Sequence, residues 1–234
     1  KNTPISINTI KYGSSNVIVQ DSAPFLKGKC SKMIRLLVGS LSYKYMTNRN
    51  YDKGRLDGAI LDRIHKKYSK KWIINKDGYV LVCTGNSCDW GWHKKNGLTI
   101  HNVSELLDKI KNQTTFAIKI RLHPKDYKTY KLNKLPQVDE ILKKYGIELV
   151  PTDISLKQIK SSLYCIISDK SSVGPYLIYY GVPVFNIQPT EQYVHSVVRD
   201  IAIRDTKYLN PELLMKDQEK ILSEENRINY LNFM

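Results

Sequence analysis

Short apolar runs alternate with amphipathic segments along most of this chain, and the rhythm is clearest from Tyr79 onward. The continuous apolar runs Tyr79–Cys83 and Leu163–Ile167 are typical of buried parallel strands. The same pattern predicts further strands at residues 115–122, 147–150 and 183–186. Strands that alternate with helices form right-handed βαβ units, so we expect an α/β fold with a Rossmann-like parallel sheet flanked by helices.

The predicted helices between these strands carry recognisable end signals. The sequence at 102–105 resembles a capping box that opens a helix reaching Lys111. A helix over 138–145 is closed by Gly146, and Asp153 is placed to cap a helix over 156–161.

The first 75 residues follow a weaker pattern. An apolar strand at 16–20 leads into a turn at Asp21–Pro24, and residues 55–67 have helical spacing with a basic end. Helical spacing returns after Gln188 and continues through 221–231. We therefore expect three parts: a reduced N-terminal lobe at 1–75, a Rossmann-like lobe at 76–190, and C-terminal helices at 191–234 that pack back on it.

Composition narrows the class of protein. The chain has 234 residues with 41% hydrophobic side chains, enough for one sizeable domain or two small lobes. No apolar run approaches the roughly 18 residues of a membrane helix, and no signal peptide is visible. The four cysteines match no zinc or redox spacing, which favours a cytoplasmic protein. No Asp-x-Asp or His-rich pattern occurs, so we expect no metal.

The net charge of +15 is large and comes mostly from lysine. Such a field favours a polyanionic partner, which would be a phosphorylated glycan, an anionic membrane surface or a nucleic acid. The alternative is that the positive charge has no specific partner. A chain rich in Lys, Asn, Ile and Tyr suggests an AT-rich genome, and the lysines would then only keep the protein surface soluble.

Three polar loops follow predicted strands, at Thr84–Asp89, His123–Lys125 and Asp169–Gly174. Ligands of parallel sheets bind at the carboxyl ends of the strands, so these loops are expected to converge on one site. In the third loop, Ser171 and Ser172 stand at the start of a predicted helix, and Gly181 stands at its end. The two hydroxyls can cradle a phosphate, or they can be ordinary N-capping serines.

The loop Arg121–Lys125 supplies further phosphate donors. Strand alternation places Arg121 and His123 on one face, and Pro124 ends the strand ladder. His123 and Lys125 can both donate to a phosphate oxygen. The alternative for His123 is a bond to a nearby carbonyl, the commoner use of a single histidine.

The segments RLHPK at 121–125 and SDKSSVGPYLIYYGVPV at 168–184 together resemble the second lobe of GT-B glycosyltransferases. They are similar to the capsule-polysaccharide group, which includes the bacterial Kdo transferases, the polysialyltransferases and the teichoic-acid glycerophosphotransferases. VIVQDSAPFL at 17–26 and GYVLVCTGNS at 78–87 resemble an acid motif and the glycine loop of the same group. The resemblance spans roughly residues 17–190.

This resemblance implies an inverting, metal-independent transferase that takes a sugar from a nucleotide donor, cytidine-activated in this group, and needs no other cofactor. It implies a donor site that contains Gly85, Asn86, His123, Ser171 and Ser172. The chemistry of the neighbouring positions adds Arg121 and Lys125, and Tyr176 is included as the residue at the position of the family's glutamate. His123 and the two serines would hold the donor phosphate. Asp21 would be the general base that deprotonates the acceptor hydroxyl, with Asp57, Asp89 and His93 as rival bases.

The sequence departs from the family pattern in three places. Tyr176 stands where many GT-B proteins have a ribose-binding glutamate, and the acid motif reads Gln20-Asp21-Ser22. The first lobe is also short for a complete Rossmann-like unit.

Trp90 and Trp92 flank Gly91 in the loop after Gly85. If their rings are exposed, they would stack on a sugar or a base, and if they are buried, they would anchor the loop.

The main functional hypothesis is therefore sugar transfer from a nucleotide donor to a glycan or another polyanionic acceptor. One alternative keeps the fold and makes the acceptor a hydroxylated base in DNA. The other is a degenerate transferase domain that binds without catalysis, which the missing glutamate would permit.

Overall fold

A computed structural model describes residues 18–22, 34–38, 71–85, 98, 100–133, 135–168, 171, 173–186, 202–224 and 227. Within them lie the strands β1 (Ile18–Ser22), β2 (Ile34–Val38), β3 (Tyr79–Cys83), β4 (Ile118–Arg121), β5 (Glu148–Leu149), β6 (Leu163–Ser168) and β7 (Val184–Phe185). The α-helices are α1 (Val103–Ile110), α2 (Pro124–Asn133), α3 (Pro136–Tyr145), α4 (Leu156–Ile159), α5 (Val173–Tyr179), α6 (Pro211–Lys216) and α7 (Gln218–Ile221).

The central feature is a five-stranded sheet in the order β5-β4-β3-β6-β7, in which every pairing is parallel. Helices connect its successive strands, which confirms the predicted α/β class and the parallel sheet. All six residues of β6 and four of the five in β3 are buried, as their continuous apolar sequences predict.

Two of the predicted helix ends are confirmed in detail. Gly146 and Gly181 both have positive φ, 62° and 78°, a conformation that costs glycine little. After α5, the N–H of Val182 donates to Leu177 O at 3.2 Å and that of Gly181 to Ile178 O at 2.9 Å. This is the Schellman pattern that satisfies the last carbonyls of a helix.

Two predicted caps and one predicted loop are wrong. Asn102 makes no capping hydrogen bond through its side chain, because a 3-10 turn at Ile100–Asn102 leads into α1. Helix α4 is capped by Ser155, which forms a capping box with Gln158, and not by Asp153. Pro124 does more than end a strand, since it is the first residue of α2, and proline favours that position.

The N-terminal region contains an antiparallel pair that the sequence did not predict, β1 with β2. Asp21 and Ser22 belong to β1, with Asp21 opposite Arg35, so the turn predicted at Asp21 is wrong. The strand simply continues two residues further than its apolar run. The helix predicted over 55–67 lies outside the described residues.

The C-terminal segment packs on the sheet. Ile203 forms a parallel bridge with Phe185, and the Tyr164 hydroxyl donates to Tyr208 O at 3.0 Å. Arg227 is fully buried, donates from Nε to Ile178 O at 2.8 Å, and lies 5.5 Å from the Trp72 ring centre. This burial lowers the Arg227 pKa to about 10.

Among the described residues, no helix is both long enough and apolar enough to cross a membrane.

Candidate functional site

The strand order places a topological switch point beside the central strand. The chain runs from β3 outward to β4 and β5, then crosses to the other side of β3 to form β6 and β7. The connection that follows β3 and the connection that follows β6 therefore lead away from each other, toward opposite edges of the sheet. In open α/β sheets this divergence, at the carboxyl ends of the strands, is where ligands bind.

The register brings the three predicted loops to this place. Cys83, the last residue of β3, pairs with Arg121 at the end of β4 and with Ser168 at the end of β6. The loops that follow these strands consequently start side by side at one edge of the sheet, called here the carboxyl edge. The described strand ends thus confirm that the three loops begin side by side, while most of the first and third loops lies outside the described residues.

Buried polar side chains concentrate at the carboxyl edge. Among the described residues, six polar or charged residues other than tyrosine are buried, and only Arg227 lies elsewhere. The five at the edge are Thr84, Arg121, Asp126, Ser168 and Asn186. Burial of a polar group costs free energy unless it is bonded, so such a concentration is typical of a functional edge rather than a packing layer.

Thr84 joins the first loop to the second. Its N–H donates to Arg121 O at 3.1 Å, and its buried Oγ1 accepts from the N–H of His123 at 3.2 Å. These two bonds fix the backbone at His123 relative to the end of β3. Thr84 is thus a positioning residue that the sequence analysis did not select.

His123 stands immediately before α2 and is half-buried. Its carbonyl accepts the N–H of Tyr127 at 2.9 Å, and its Nδ1 accepts the N–H of Lys125 at 3.3 Å. Because Nδ1 accepts, the neutral ring carries its proton on Nε2. His123 can therefore offer an Nε2–H donor, which suits a phosphate oxygen.

Arg121 has a different environment from the one expected. Its guanidinium donates to the carbonyls of Pro151 at 2.6 Å, Thr152 at 3.1 Å and Ile154 at 2.9 Å. Burial lowers its pKa from the ordinary arginine value. These contacts give Arg121 a structural role in holding the segment after β5, so we leave it out of the proposed ligand set.

Ser171 lies at the start of α5, as predicted. Its Oγ accepts the N–H of Val173 at 3.3 Å, and its carbonyl accepts the Ser168 hydroxyl at 3.4 Å. The hydroxyl therefore accepts from the first residue of α5, yet keeps its own proton to donate to a ligand. Ser172 lies outside the described residues, and α5 has only seven residues.

The first loop is represented by Gly85. Its N–H donates to Leu98 O at 2.7 Å, and a side chain here would place its first carbon 3.4 Å from that oxygen. This N–H is used within the protein, so Gly85 shapes the loop and does not contact a phosphate through that group. Asn86 and the tryptophans at 90 and 92 lie outside the described residues, as do the rival bases 57, 89 and 93.

Tyr176 lies in α5 and contacts Tyr180, the residue that directly follows this helix. The two hydroxyls lie 3.2 Å apart, and the two rings meet edge to face. The Lys160 ammonium, from the segment before β6, lies 4.5 Å from the Tyr180 ring centre. This contact places Tyr180 near the amino ends of the strands.

Two more of the expected site residues have clear positions. Lys125 is exposed in the first turn of α2, beside His123. Asp21 lies in the β1–β2 pair, and only its backbone position is described.

Sequence reasoning missed Asp126 and Asn186. Each follows a predicted strand closely, and this placement was the available signal. No family model matches this chain, and a comparison with curated proteins finds no matching sequence.

Proposed function

We propose that this protein is a glycosyltransferase that binds a nucleotide-sugar donor at the carboxyl edge of its parallel sheet. One observation carries the proposal: the divergence of the chain between β3 and β6, where the buried polar residues collect. The resemblance of segments 121–125 and 168–184 to GT-B donor lobes supports the same site.

In this proposal the donor phosphate lies between the loops after β4 and β6. The His123 Nε2–H and the Ser171 hydroxyl donate to its oxygens, and Lys125 contributes positive charge. A hydrogen bond to a charged group is worth roughly 1.5–3 kcal/mol. Because charge grows on the leaving phosphate as the sugar departs, these donors stabilise the transition state more than the bound donor.

The acceptor hydroxyl needs a general base, because a neutral sugar hydroxyl is a poor nucleophile. The resemblance assigns this role to Asp21. With direct attack by the activated hydroxyl, the anomeric configuration inverts in a single displacement.

A polyanionic glycan remains the proposed acceptor. The described residues carry only about a third of the net positive charge. The electrostatic field that would attract such an acceptor therefore comes mainly from the rest of the chain. This distribution gives no specific support to DNA as the acceptor.

The second candidate is a nucleotide-binding module without transferase activity. It is favoured by the sequence, since Tyr176 stands where many GT-B proteins have a ribose-binding glutamate. The two candidates separate on turnover: a transferase releases the free nucleotide from its donor when a suitable acceptor is present, whereas a binding module leaves the donor intact.

Binding is tested by thermal shift with CMP, CDP, UDP, GDP and ADP. A nucleotide present at 100 times its Kd stabilises a protein by about 2.7 kcal/mol, which corresponds to a rise of about 5–11 °C in Tm for a chain of this size. We expect at least one of the five to produce such a rise. The absence of any shift with all five would overturn the proposed function.

The His123→Ala variant is expected to bind the active nucleotide about tenfold more weakly, because a charge-assisted bond to the phosphate is lost. Isothermal titration calorimetry measures the change. Lys128→Ala is the control, because Lys128 is exposed on α2, the helix that directly follows His123, one turn beyond Lys125. Equal affinities for the wild-type protein and His123→Ala would remove His123 from the site.

A further inference from the structure

Helix α2 lies along the carboxyl edge of the sheet. It begins at Pro124, directly after His123 and close to the end of β4. In its last turn, the Lys131 ammonium pairs with the Asp153 carboxylate at 3.0 Å, and Asp153 follows β5. The two ends of α2 are therefore held beside the loops that follow two neighbouring strands. The side of α2 that faces away from the sheet consequently forms part of the outer surface at this edge.

The outward side of α2 combines positive charge with one apolar side chain. In this helix, which is described along its whole length, only Asp126 and Tyr127 are buried, whereas Lys125, Lys128 and Leu132 are exposed. The three exposed residues have the i, i+3, i+7 spacing of a single helix face. Since each residue turns the helix by about 100°, Leu132 projects between the directions of the two lysines. We call this surface the lysine–leucine face.

Leu132 is exposed to an unusual degree. Its exposed fraction is 72%, the largest of any large hydrophobic side chain in the described part of the chain. A single exposed leucine on a protein surface needs no explanation. A leucine that projects between two lysines, however, suits the boundary between lipid headgroups and acyl chains, where the cations meet the headgroups and the apolar side chain leaves water.

The leucine discriminates among the anionic partners that the positive charge allows. A soluble glycan or a nucleic acid offers charges to the lysines but no apolar layer to Leu132. An anionic bilayer offers both, because its headgroups attract lysine and its acyl chains accept leucine. The combination of charge complementarity with an exposed leucine therefore favours a lipid surface over a soluble polyanion.

We propose that the lysine–leucine face of α2 docks on an anionic lipid bilayer, with Lys128 at the headgroups and Leu132 inserted below them. Lys131 contributes less, because Asp153 already pairs with it. The contact is weak and reversible, since it consists of a few charges and one apolar side chain. It holds the carboxyl edge at the membrane surface. The inference does not rest on the proposed function, because docking requires no nucleotide.

Vesicle co-sedimentation of the full chain, without nucleotide, tests the docking. One set of vesicles is phosphatidylcholine alone, and the other is equal parts phosphatidylcholine and phosphatidylglycerol. The wild-type protein is expected to bind the anionic vesicles at least about tenfold more tightly than the neutral ones, and added salt is expected to weaken that binding.

Two variants separate the contribution of the leucine from that of the charge. Leu132→Gln is expected to bind the anionic vesicles about tenfold more weakly, because the leucine side chain no longer leaves water. Lys128→Ala is expected to bind about fivefold more weakly, which corresponds to one lysine near an anionic surface. Lys125 is left unchanged, since it also belongs to the proposed donor site.

Leu213→Gln and Lys109→Ala are the matched controls. Leu213 is an exposed leucine on α6, a helix that follows Tyr208, whose carbonyl oxygen binds the Tyr164 hydroxyl near the start of β6. Lys109 is exposed in the last turn of α1, which leads back toward the start of β4. Both residues lie away from the carboxyl edge, so both variants are expected to bind the vesicles as the wild-type protein does.

Leu132→Gln is expected to keep the wild-type Tm and the wild-type affinity for nucleotide, because the leucine is mostly exposed and glutamine is also a good helix former. Wild-type vesicle binding by Leu132→Gln together with weaker binding by Lys128→Ala would show that the face recognises charge alone. That result would overturn the bilayer in favour of a soluble polyanion. Failure of the wild-type protein to prefer anionic vesicles would also overturn the proposal, and it would leave the proposed function standing.

Discussion

Arg121→Met is expected to lower the free energy of unfolding by roughly 2–4 kcal/mol, because three carbonyls lose a charged donor at once. The guanidinium binds Pro151 O, Thr152 O and Ile154 O, which lie in the segment that leads from β5 to α4. Methionine fills a similar volume but donates nothing to these oxygens. Urea denaturation followed by circular dichroism measures the loss.

Lys119→Met is the matched control for Arg121→Met. It removes the same charge from the same strand, yet Lys119 pairs with the largely exposed Glu148 at 2.6 Å. Exposed pairs contribute at most about 1 kcal/mol, so the control is expected to remain near wild type. Arg121→Met should also keep the Tm increment caused by the nucleotide. Loss of that increment at unchanged stability would restore Arg121 to the ligand set and contradict its structural role.

Gly78→Ala is expected to cost about 3 kcal/mol, the upper end of the range for an overpacked site. Its added carbon would lie 2.4 Å from Tyr164 N and 2.6 Å from Leu163 C, which are backbone atoms that no rotamer change can move. The approach is close because β3 and β6 shift register here: Tyr79 pairs with Leu163, and Val80 with Cys165. Chemical denaturation should show the loss directly.

Gly174→Ala serves as the control for Gly78→Ala. Its added carbon meets side-chain atoms at 3.5 Å and beyond, which is ordinary contact, and alanine is the better helix former. We expect this variant to be as stable as wild type or slightly more so. A Gly78→Ala protein of wild-type stability would show that the two strands can separate at this point without cost.

The sequence was a good guide to the sheet and a poor one to some connections. The apolar runs at β3 and β6 identified strands because burial on both faces demands continuous hydrophobic sequence. Helix α2 was missed because its sequence is too polar to show an apolar stripe, with only Asp126 and Tyr127 buried. Asp153 was chosen as a cap because the sequence does not reveal that Ser155 and Gln158 bond reciprocally.

The candidate site was predictable where local sequence determines position. His123 and Ser171 follow strands whose ends could be located from the pattern, and both lie at the carboxyl edge. Arg121 and Tyr176 could not be placed, because their partners come from a segment distant in sequence or from the residue after the helix. Asn186 escaped notice because the burial of a polar side chain is visible only in three dimensions.

The central claim is that a nucleotide binds where the chain diverges between β3 and β6, and hydrogen–deuterium exchange with mass spectrometry tests it most directly. The exchange of each peptide is compared with and without the nucleotide that gives the largest thermal shift. We expect protection in the peptides that contain Thr84–Gly85, His123–Lys125 and Ser168–Ser171, with none in the turn at Asn75–Gly78 at the opposite edge. Protection at that turn but not in the three loops would contradict the claim.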